Sequence, residues 1–145
     1  MREILFKAKT TKKDNPKHEF NEKWAEGNLI LCGEKAYIHP ISNKIRTTGE
    51  IGRIIVLHEV IHNTLCQYTG LTDKNGKRIW EYDICEMVYD GTIYIYVVVW
   101  DKTELDFKGT NGKENYGCNF EYLGCCEEIV VIGNIFDNPE LLEAM

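Results

Sequence analysis

The residues whose types and spacing best suit chemistry are His58, Glu59 and His62, in the pattern His-Glu-x-x-His. On a helix, two histidines four residues apart share a face and can bind one zinc ion, while the glutamate polarises the attacking water. On a strand the same histidines would lie roughly 13 Å apart, which is too far for two ligands of one ion. The pattern therefore describes a zinc peptidase only if residues 58–62 are helical.

A catalytic zinc site also needs a third protein ligand. The extended pattern would place a histidine where this chain has Tyr68. Glu81 follows at a suitable distance, but the hairpin signal Asn75-Gly76 separates it from the histidines. We therefore expect no metal, no cofactor and no catalytic residue. If that expectation fails, the zinc ligands would be His58, His62 and Glu81, with Glu59 as the base.

Three aromatic residues, Tyr94, Tyr96 and Trp100, share one face of the apolar segment at residues 93–100, which reads as a strand. Exposed aromatic residues on a small barrel can stack nucleic-acid bases. That interpretation needs neighbouring basic residues, and this half of the chain has few. The alternative is a tyrosine-rich sheet face with its hydroxyl groups at the rim. These three residues are the candidates for a binding surface.

Charge is distributed unevenly along the chain, whose formal net charge is −6. Residues 1–62 hold 11 Lys and Arg against 8 Asp and Glu, a balance of +3, whereas residues 63–145 hold 6 against 15, a balance of −9. An acidic second half repels a phosphate backbone, which disfavours nucleic-acid binding. The asymmetry favours a basic protein partner or head-to-tail self-association, the alternative being a solvated acidic surface.

The composition is that of an ordinary globular protein. At 145 residues a single domain is expected, with possible sub-regions 1–62 and 63–145. No apolar run approaches the ~18 residues of a membrane helix, and no signal-peptide pattern opens the chain. We expect a cytoplasmic protein that does not bind membranes. Its six cysteines contain no Cys-x-x-Cys spacing, so they are expected to be reduced and mostly buried.

Short β-prone segments separated by glycine turns predict an all-β fold. Asn75-Gly76 predicts a hairpin with a type I′ turn, which needs positive φ at both residues, and Asp90-Gly91 predicts a second hairpin. The segment 93–100 is apolar on both faces and is expected to be central. We predict a small barrel or a curled antiparallel sheet, with an SH3-like element in the C-terminal half and a short helical turn after Asp137-Asn138-Pro139.

Two segments remain open to more than one interpretation. Residues 51–61 are rich in β-branched side chains, which favours a strand, but Thr47 and Glu50 have the spacing of a capping box, which favours a helix. Residues 102–118 form a long polar stretch. It is functional, disordered, or contains a further hairpin at Asn111-Gly112.

Three stretches resemble the YopX-like proteins of phages and prophages. The central motif of that family is similar to residues 67–71, 73–77, 79 and 81–84, its opening strand to residues 2–8, and its closing signature to residues 131–142. The resemblance covers essentially the whole chain. It implies a mainly β fold encoded by phages or mobile elements and favours a strand at residues 51–61. It implies no established activity, cofactor or catalytic residue.

The chain departs from the family pattern at two positions. Tyr82 stands where the family usually has glycine, which argues against a positive φ at that residue. Cys85 stands where an aliphatic residue is more usual.

The sequence as a whole favours a non-enzymatic, cytoplasmic accessory protein of phage or prophage origin. Its expected partner is a phage or host protein, or a second copy of itself in a homo-oligomer. Nucleic-acid binding through a small β-barrel is the second hypothesis, and a zinc peptidase built on His58-Glu59-x-x-His62 is the third.

Overall fold

A computed structural model describes residues 3–11, 24–40, 46–47, 53–54, 57–113 and 119–144. The chain divides into two compact units, unit 1 (Met1–Gln67) and unit 2 (Tyr68–Met145). The described residues form antiparallel strands and short 3-10 turns, so the prediction of a mainly β fold is confirmed. Within these residues, no helix has the length and apolar character needed to cross a membrane.

Unit 1 is built on an antiparallel sheet in the order β6-β3-β2-β1-β7. The seventh strand begins in this unit, where Cys66 and Gln67 pair with Lys7 and Phe6. A separate pair is formed by β4 and β5. The strands are β1 (Phe6–Lys9), β2 (Trp24–Cys32), β3 (Lys35–Pro40), β4 (Arg46–Thr47), β5 (Arg53–Ile54), β6 (His58–Val60) and β7 (Cys66–Thr72).

The β2–β3 hairpin turns at Gly33-Glu34, with φ of 64° at Gly33. Gly27 lies inside strand β2. A Cβ atom at Gly27 would lie 1.8 Å from the carbonyl oxygen of His39 on β3. Only glycine fits so close a backbone approach. Among the described residues of unit 1, Ala8, Ala25, Ala36, Ile38 and Val60 form a buried cluster, with Phe6, Leu29 and Leu65 half-buried against it.

The ambiguous segment 51–61 contains strands β5 and β6 in its described part, so the strand interpretation is confirmed there and the helix interpretation is wrong. A 3-10 turn at His62–Thr64 follows. Thr64 fixes this turn to β1, because its hydroxyl oxygen accepts the Lys9 N–H at 2.9 Å and donates to the Ile61 carbonyl at 2.7 Å.

Unit 2 contains the rest of β7 and a five-stranded antiparallel sheet in the order β12-β11-β10-β9-β13. Strand β10 is central, as predicted. The barrel alternative is wrong, because β12 and β13 lie at the two edges and the sheet does not close. The SH3-like element is not confirmed. The strands are β8 (Arg78–Trp80), β9 (Asp83–Tyr89), β10 (Thr92–Asp101), β11 (Asp106–Thr110), β12 (Phe120–Tyr122) and β13 (Glu128–Asn134).

The hairpin predictions are confirmed in position and partly wrong in geometry. Asp90-Gly91 joins β9 to β10 with positive φ at both residues, 49° and 75°. At Asn75-Gly76 only Gly76 has a positive φ, so the type I′ turn is wrong. The connection is a five-residue loop between the paired residues Thr72 and Arg78. A bulge precedes it at Gly70, which has φ of 88°.

Two further predictions concern the C-terminal half. The stretch 102–118 contains strand β11, which pairs with β12, and Asn111 N–H donates to the Asn119 carbonyl at 3.0 Å. The connection between the two strands covers residues 111–119, so a turn at Asn111-Gly112 itself stays a prediction. Residues 114–118 lie outside the described residues. The predicted helical turn is present as a 3-10 turn at Pro139–Ala144. A further 3-10 turn lies at Leu123–Cys125.

Tyr82 adopts a left-handed conformation with φ of 68°, so the expectation from the missing family glycine is wrong. Tertiary contacts hold the residue there. Its N–H donates to the Val98 carbonyl at 2.8 Å, and its carbonyl accepts the Ile135 N–H at 3.0 Å. Its ring meets that of Phe136 edge-on, with 5.8 Å between the centroids. These bonds offset the left-handed penalty of roughly 1–2 kcal/mol.

Candidate functional site

The residues of the zinc-peptidase pattern do not lie on a helix. His58 and Glu59 lie in β6, whereas His62 begins the following 3-10 turn. Glu81 belongs to unit 2, between β8 and β9. Among the described residues, no group of three or more His, Cys, Asp or Glu side chains is placed to hold a metal ion. The helical geometry that the pattern requires is therefore not met.

The central stretch that resembles the family motif, residues 67–84, contains a loop that folds around the side chain of Asp73. This carboxylate is only 7% exposed. Its Oδ1 accepts the N–H groups of Asn75 and Lys77, each at 2.9 Å, and its Oδ2 accepts the Val131 N–H from β13 at 3.0 Å. The side chain thus folds the loop and ties it to a strand 58 residues later.

The hydrogen bonds at Asp73 also set its protonation. Burial raises the pKa of this carboxyl group, but the N–H donors of Val131, Lys77 and Asn75 outweigh burial and hold the pKa below its ordinary value of 3.8. Asp73 is therefore a charged acceptor at neutral pH, fully used by backbone donors. The motif explains the fold of the β7–β8 hairpin and supplies no reactive group.

The buried Cys85 and the half-buried Cys126 are also poor candidates for nucleophilic chemistry. Burial raises the pKa of Cys85, with a further contribution from the charge of Asp83. Burial likewise raises the pKa of Cys126 to about 11. Both thiols are protonated near neutral pH, whereas the nucleophile is the thiolate. Cys85 and Cys126 therefore serve as packing residues of unit 2.

Unit 2 has a cavity of about 330 Å³ beside the end of β9 and the start of β10. We call it the aromatic cleft. Its volume lies within the range of small-ligand sites. Residues from the β9–β10 hairpin and from β12 line it, namely Tyr89, Asp90, Thr92, Tyr94, Tyr96, Phe120 and Glu121.

Two of the three predicted surface aromatics lie in the aromatic cleft. The rings of Tyr94 and Tyr96 are stacked, with centroids 5.4 Å apart and planes only 5° apart. Tyr94 is half-buried, but Tyr96 is 2% exposed and is part of the core, so its prediction as a surface residue is wrong. Trp100 does not line the cleft. It is 43% exposed and packs edge-on against Phe107, with centroids 4.8 Å apart.

Gly109 allows Met87 and Tyr96 to pack closely against β11. Gly109 on β11 lies between Val98 and Glu121 in the strand register. A Cβ at this position would lie 2.7 Å from the sulfur of Met87 and 2.8 Å from the Cβ of Tyr96. Neither distance is compatible with a real side chain unless the neighbours move. Gly109 therefore allows Tyr96 to sit deep in the sheet.

The cleft carries two carboxylates that sequence reasoning missed. Asp90 lies in the β9–β10 turn, where the sequence indicated only a turn residue, and Glu121 lies in β12. Glu121 Oε1 accepts the Tyr122 N–H at 3.1 Å. Within the described part of the chain, no basic side chain forms an ion pair with either carboxylate. Both therefore contribute negative charge to the cleft.

The basic side chain nearest to the cleft's aromatic residues is already paired. Lys108 is buried, and its Nζ lies 3.1 Å from Asp101 Oδ2 and 5.3 Å from the ring centroid of Phe120. Tyr122 donates its hydroxyl hydrogen to the same carboxylate oxygen at 3.3 Å. The N–H of Glu104 lowers the pKa of Asp101 against the opposing effect of burial, and Lys108 lowers it further. The ammonium group is thus held by Asp101 rather than by the cleft carboxylates.

A second depression in unit 2, of about 360 Å³, lies beside the β7–β8 loop. It is lined by Asp73, whose oxygens are engaged, and by Lys74 and Glu128, which pair with each other at 3.5 Å. These charges already have partners in the chain. The aromatic cleft is therefore the better candidate for binding a separate molecule.

Comparisons with known proteins agree with the fold. The crystal structure of protein EF1440 from Enterococcus faecalis is similar to this structure, with a TM-score of 0.53 and 19% sequence identity, over 98% of this chain and 99% of that chain. At this identity the likeness shows the fold alone. None of the curated proteins compared with the chain is significantly similar to it.

Family membership follows from the sequence itself. A model of the family described as YopX protein matches residues 17–143 and so spans most of the chain. The match includes the Asp73 loop and the closing strand that Asp73 binds, both of which the resemblance indicated. The chain belongs to the YopX protein family.

Proposed function

We propose that this protein is a non-enzymatic binding module, an accessory protein of phage or prophage origin, that holds a basic protein partner at unit 2. The aromatic cleft is the observation that carries the proposal. It combines four aromatic rings with the carboxylates of Asp90 and Glu121, on a unit that has six basic against fifteen acidic residues. Its lining contains no histidine, cysteine or lysine. Such a surface suits recognition of positive charge rather than covalent catalysis.

Fluorescence anisotropy with two short labelled peptides tests this function. One peptide is rich in Lys and Arg, and the other has Gln at those positions. The basic peptide should bind and should lose affinity as salt rises, because exposed charges are screened within about 10 Å at 0.1 M salt. The Gln peptide should bind weakly or not at all.

A pair of matched variants separates the cleft from the overall charge of unit 2. The double variant Asp90→Asn, Glu121→Gln should weaken binding of the basic peptide about fivefold or more, because each lost pair is worth up to about 1 kcal/mol at an exposed site. The control Glu86→Gln, Glu104→Gln changes the net charge equally at exposed residues outside the cleft. Equal loss in both variants, or no binding by the wild type, would overturn the proposal.

Two further measurements separate the remaining hypotheses. Binding of a labelled single-stranded oligonucleotide in preference to the basic peptide would favour nucleic-acid recognition. Salt-dependent self-association in sedimentation experiments, lost in the cleft double variant, would identify a second copy of the chain as the basic partner. Unit 1 has a net charge of +3 and so offers the complementary sign.

A further inference from the structure

We infer that the aromatic cleft binds a single guanidinium group, the side chain of an arginine on the partner, in preference to the ammonium group of a lysine. The inference rests on the proposed function and names the chemical group that the cleft selects. It depends on the shape of the cleft and on the kind of polar groups within it, rather than on the charge of unit 2 as a whole.

The stacked tyrosines favour a planar cation. Tyr94 and Tyr96 line the cleft with ring planes 5° apart and centroids 5.4 Å apart. A guanidinium is planar and delocalised, and it stacks on aromatic faces, whereas an ammonium is a compact and strongly hydrated point charge. Of the two stacked rings, the half-buried Tyr94 is the one that a ligand can reach, because Tyr96 is only 2% exposed. The cleft thus matches the arginine head group in shape.

The two carboxylates supply the complementary hydrogen-bond acceptors. Asp90 and Glu121 both line the cleft, from the β9–β10 turn and from β12. A guanidinium presents five N–H donors in a fixed fork, so it can satisfy a carboxylate with two parallel bonds while its plane rests on a ring. Aromatic faces and carboxylates together are the combination that recognises organic cations in proteins.

The same sheet already contains this combination for one of its own cations. The ammonium of Lys108 lies 3.1 Å from a carboxylate oxygen of Asp101 and 5.3 Å from the ring centroid of Phe120, which is itself a lining residue of the cleft. Lys108 thereby uses one side of the Phe120 ring. The cleft repeats the pairing of ring and carboxylate with the stacked tyrosines and two further acids, and leaves a space of about 330 Å³ between them.

A titration of the intact ¹⁵N-labelled protein tests the inference, with N-acetyl-arginine amide and N-acetyl-lysine amide as probes. The arginine probe should shift the backbone signals of Thr92, Phe120 and Glu121, which line the cleft. Its affinity should exceed that of the lysine probe by about three- to tenfold, the range expected for one cation–π contact.

Two variants test the origin of the preference. Tyr94→Leu keeps an apolar side chain but removes a stacked ring, so it should reduce the preference for arginine to less than about twofold. Asp90→Asn removes a charge and suits the turn, because Asn tolerates the positive φ of 49° at this position. It should weaken both probes. Glu86→Gln, on the exposed part of β9, is the matched control and should change neither affinity by more than about twofold.

The outcomes separate the inference from the proposed function. If the arginine and lysine probes bind equally, or if the shifted signals lie outside the cleft, the guanidinium inference is overturned while binding of a basic peptide can still hold. If the basic peptide itself does not bind, the proposed function fails. Loss of the arginine preference in Tyr94→Leu, with the spectrum of a folded protein, would establish the inference.

Discussion

The buried side chains of the two units differ in size. The core of unit 1 has three alanines among its five buried residues, with Ile38 and Val60 as the larger members. The core of unit 2 contains eight buried side chains, most of them large, and includes Tyr96, Phe107 and Met87. Small side chains allow the backbones of packed elements to approach closely, whereas large side chains bury more apolar surface per residue. Among the described residues, the buried cluster of unit 2 therefore has the larger side chains.

The two units also differ in which residues adopt a positive φ. Among the described residues, positive φ occurs in unit 1 only at Gly27 and Gly33. Unit 2 also has it at three residues with side chains, namely Tyr82, Asp90 and Leu105. Strained residues persist where the surrounding structure over-determines them. In unit 2 the surrounding contacts hold residues with side chains at positive φ. In the described part of unit 1, glycine occupies both positions with positive φ.

The largest effect is expected from Gly27→Ala in unit 1. The new methyl group would meet the His39 carbonyl oxygen at 1.8 Å, at a φ of 156° that disfavours alanine. The β2–β3 pairing would have to separate, at a cost of at least about 3 kcal/mol. Urea unfolding followed by hydrogen exchange should show loss of protection in unit 1, while the β9–β10 amides of unit 2 remain protected.

Gly33→Ala is the matched control, because Gly33 lies in the turn of the same hairpin. It also has a positive φ, but no atom lies within 4 Å of the added Cβ. It should cost only the left-handed penalty of about 1–2 kcal/mol. Equal destabilisation by both variants would contradict the view that close backbone approach holds unit 1 together.

A smaller but substantial effect is expected from Asp73→Asn in unit 2. The amide can replace one carboxylate oxygen as an acceptor, but its NH₂ group would face an N–H donor, either that of Val131 or those of the loop. The expected loss is about 2–3 kcal/mol, measured by urea unfolding of unit 2. Lys74→Gln, which removes an exposed ion pair to Glu128, should cost less than about 1 kcal/mol.

The pH dependence of unit 2 should carry the signature of Asp73. Because folding lowers the pKa of this group, its contribution is present above its ordinary value of 3.8 and is lost as the pH falls from there through the folded pKa. The free energy of unfolding of unit 2 should therefore decline at acidic pH. In Asp73→Asn this decline should be shallower, and an unchanged pH profile would contradict the role assigned to the carboxylate.

The smallest effect is a gain in stability from Leu105→Asn. Leu105 has φ of 57° in the β10–β11 connection and is 72% exposed, so its side chain contributes little packing. Asparagine tolerates the left-handed conformation better and should stabilise unit 2 by about 0.5–1 kcal/mol. Leu105→Ala removes the same side chain without that tolerance and should change the stability less. Thermal unfolding of the three proteins distinguishes these outcomes.

The features that could be predicted from the sequence are those determined by neighbouring residues. The Asp90-Gly91 turn and the central position of β10 depend on local turn chemistry and on apolar patterning. Family resemblance added the correct choice of strand at residues 58–60. These features account for the fold class and for most strand positions.

The features that were missed depend on residues distant in sequence. The type I′ turn at Asn75-Gly76 fails because the Asp73 carboxylate binds the loop N–H groups and a strand 58 residues away. Tyr82 keeps a positive φ because the backbone of Val98 and Ile135 holds it. The aromatic cleft joins two separate stretches of chain, so no local spacing marks Glu121 as a neighbour of Tyr94.

The position of β1 within the sheet of unit 1 has a consequence for how the protein is synthesised. Phe6 and Lys7 pair with β2 on one side and with Gln67 and Cys66 on the other, and Lys9 donates to Thr64, 55 residues later. At ordinary elongation rates that gap takes a ribosome about 3–11 s to translate. During this interval β1 exposes one unpaired edge on the nascent chain. The sheet of unit 1 is therefore completed only after Cys66 and Gln67 have left the ribosome.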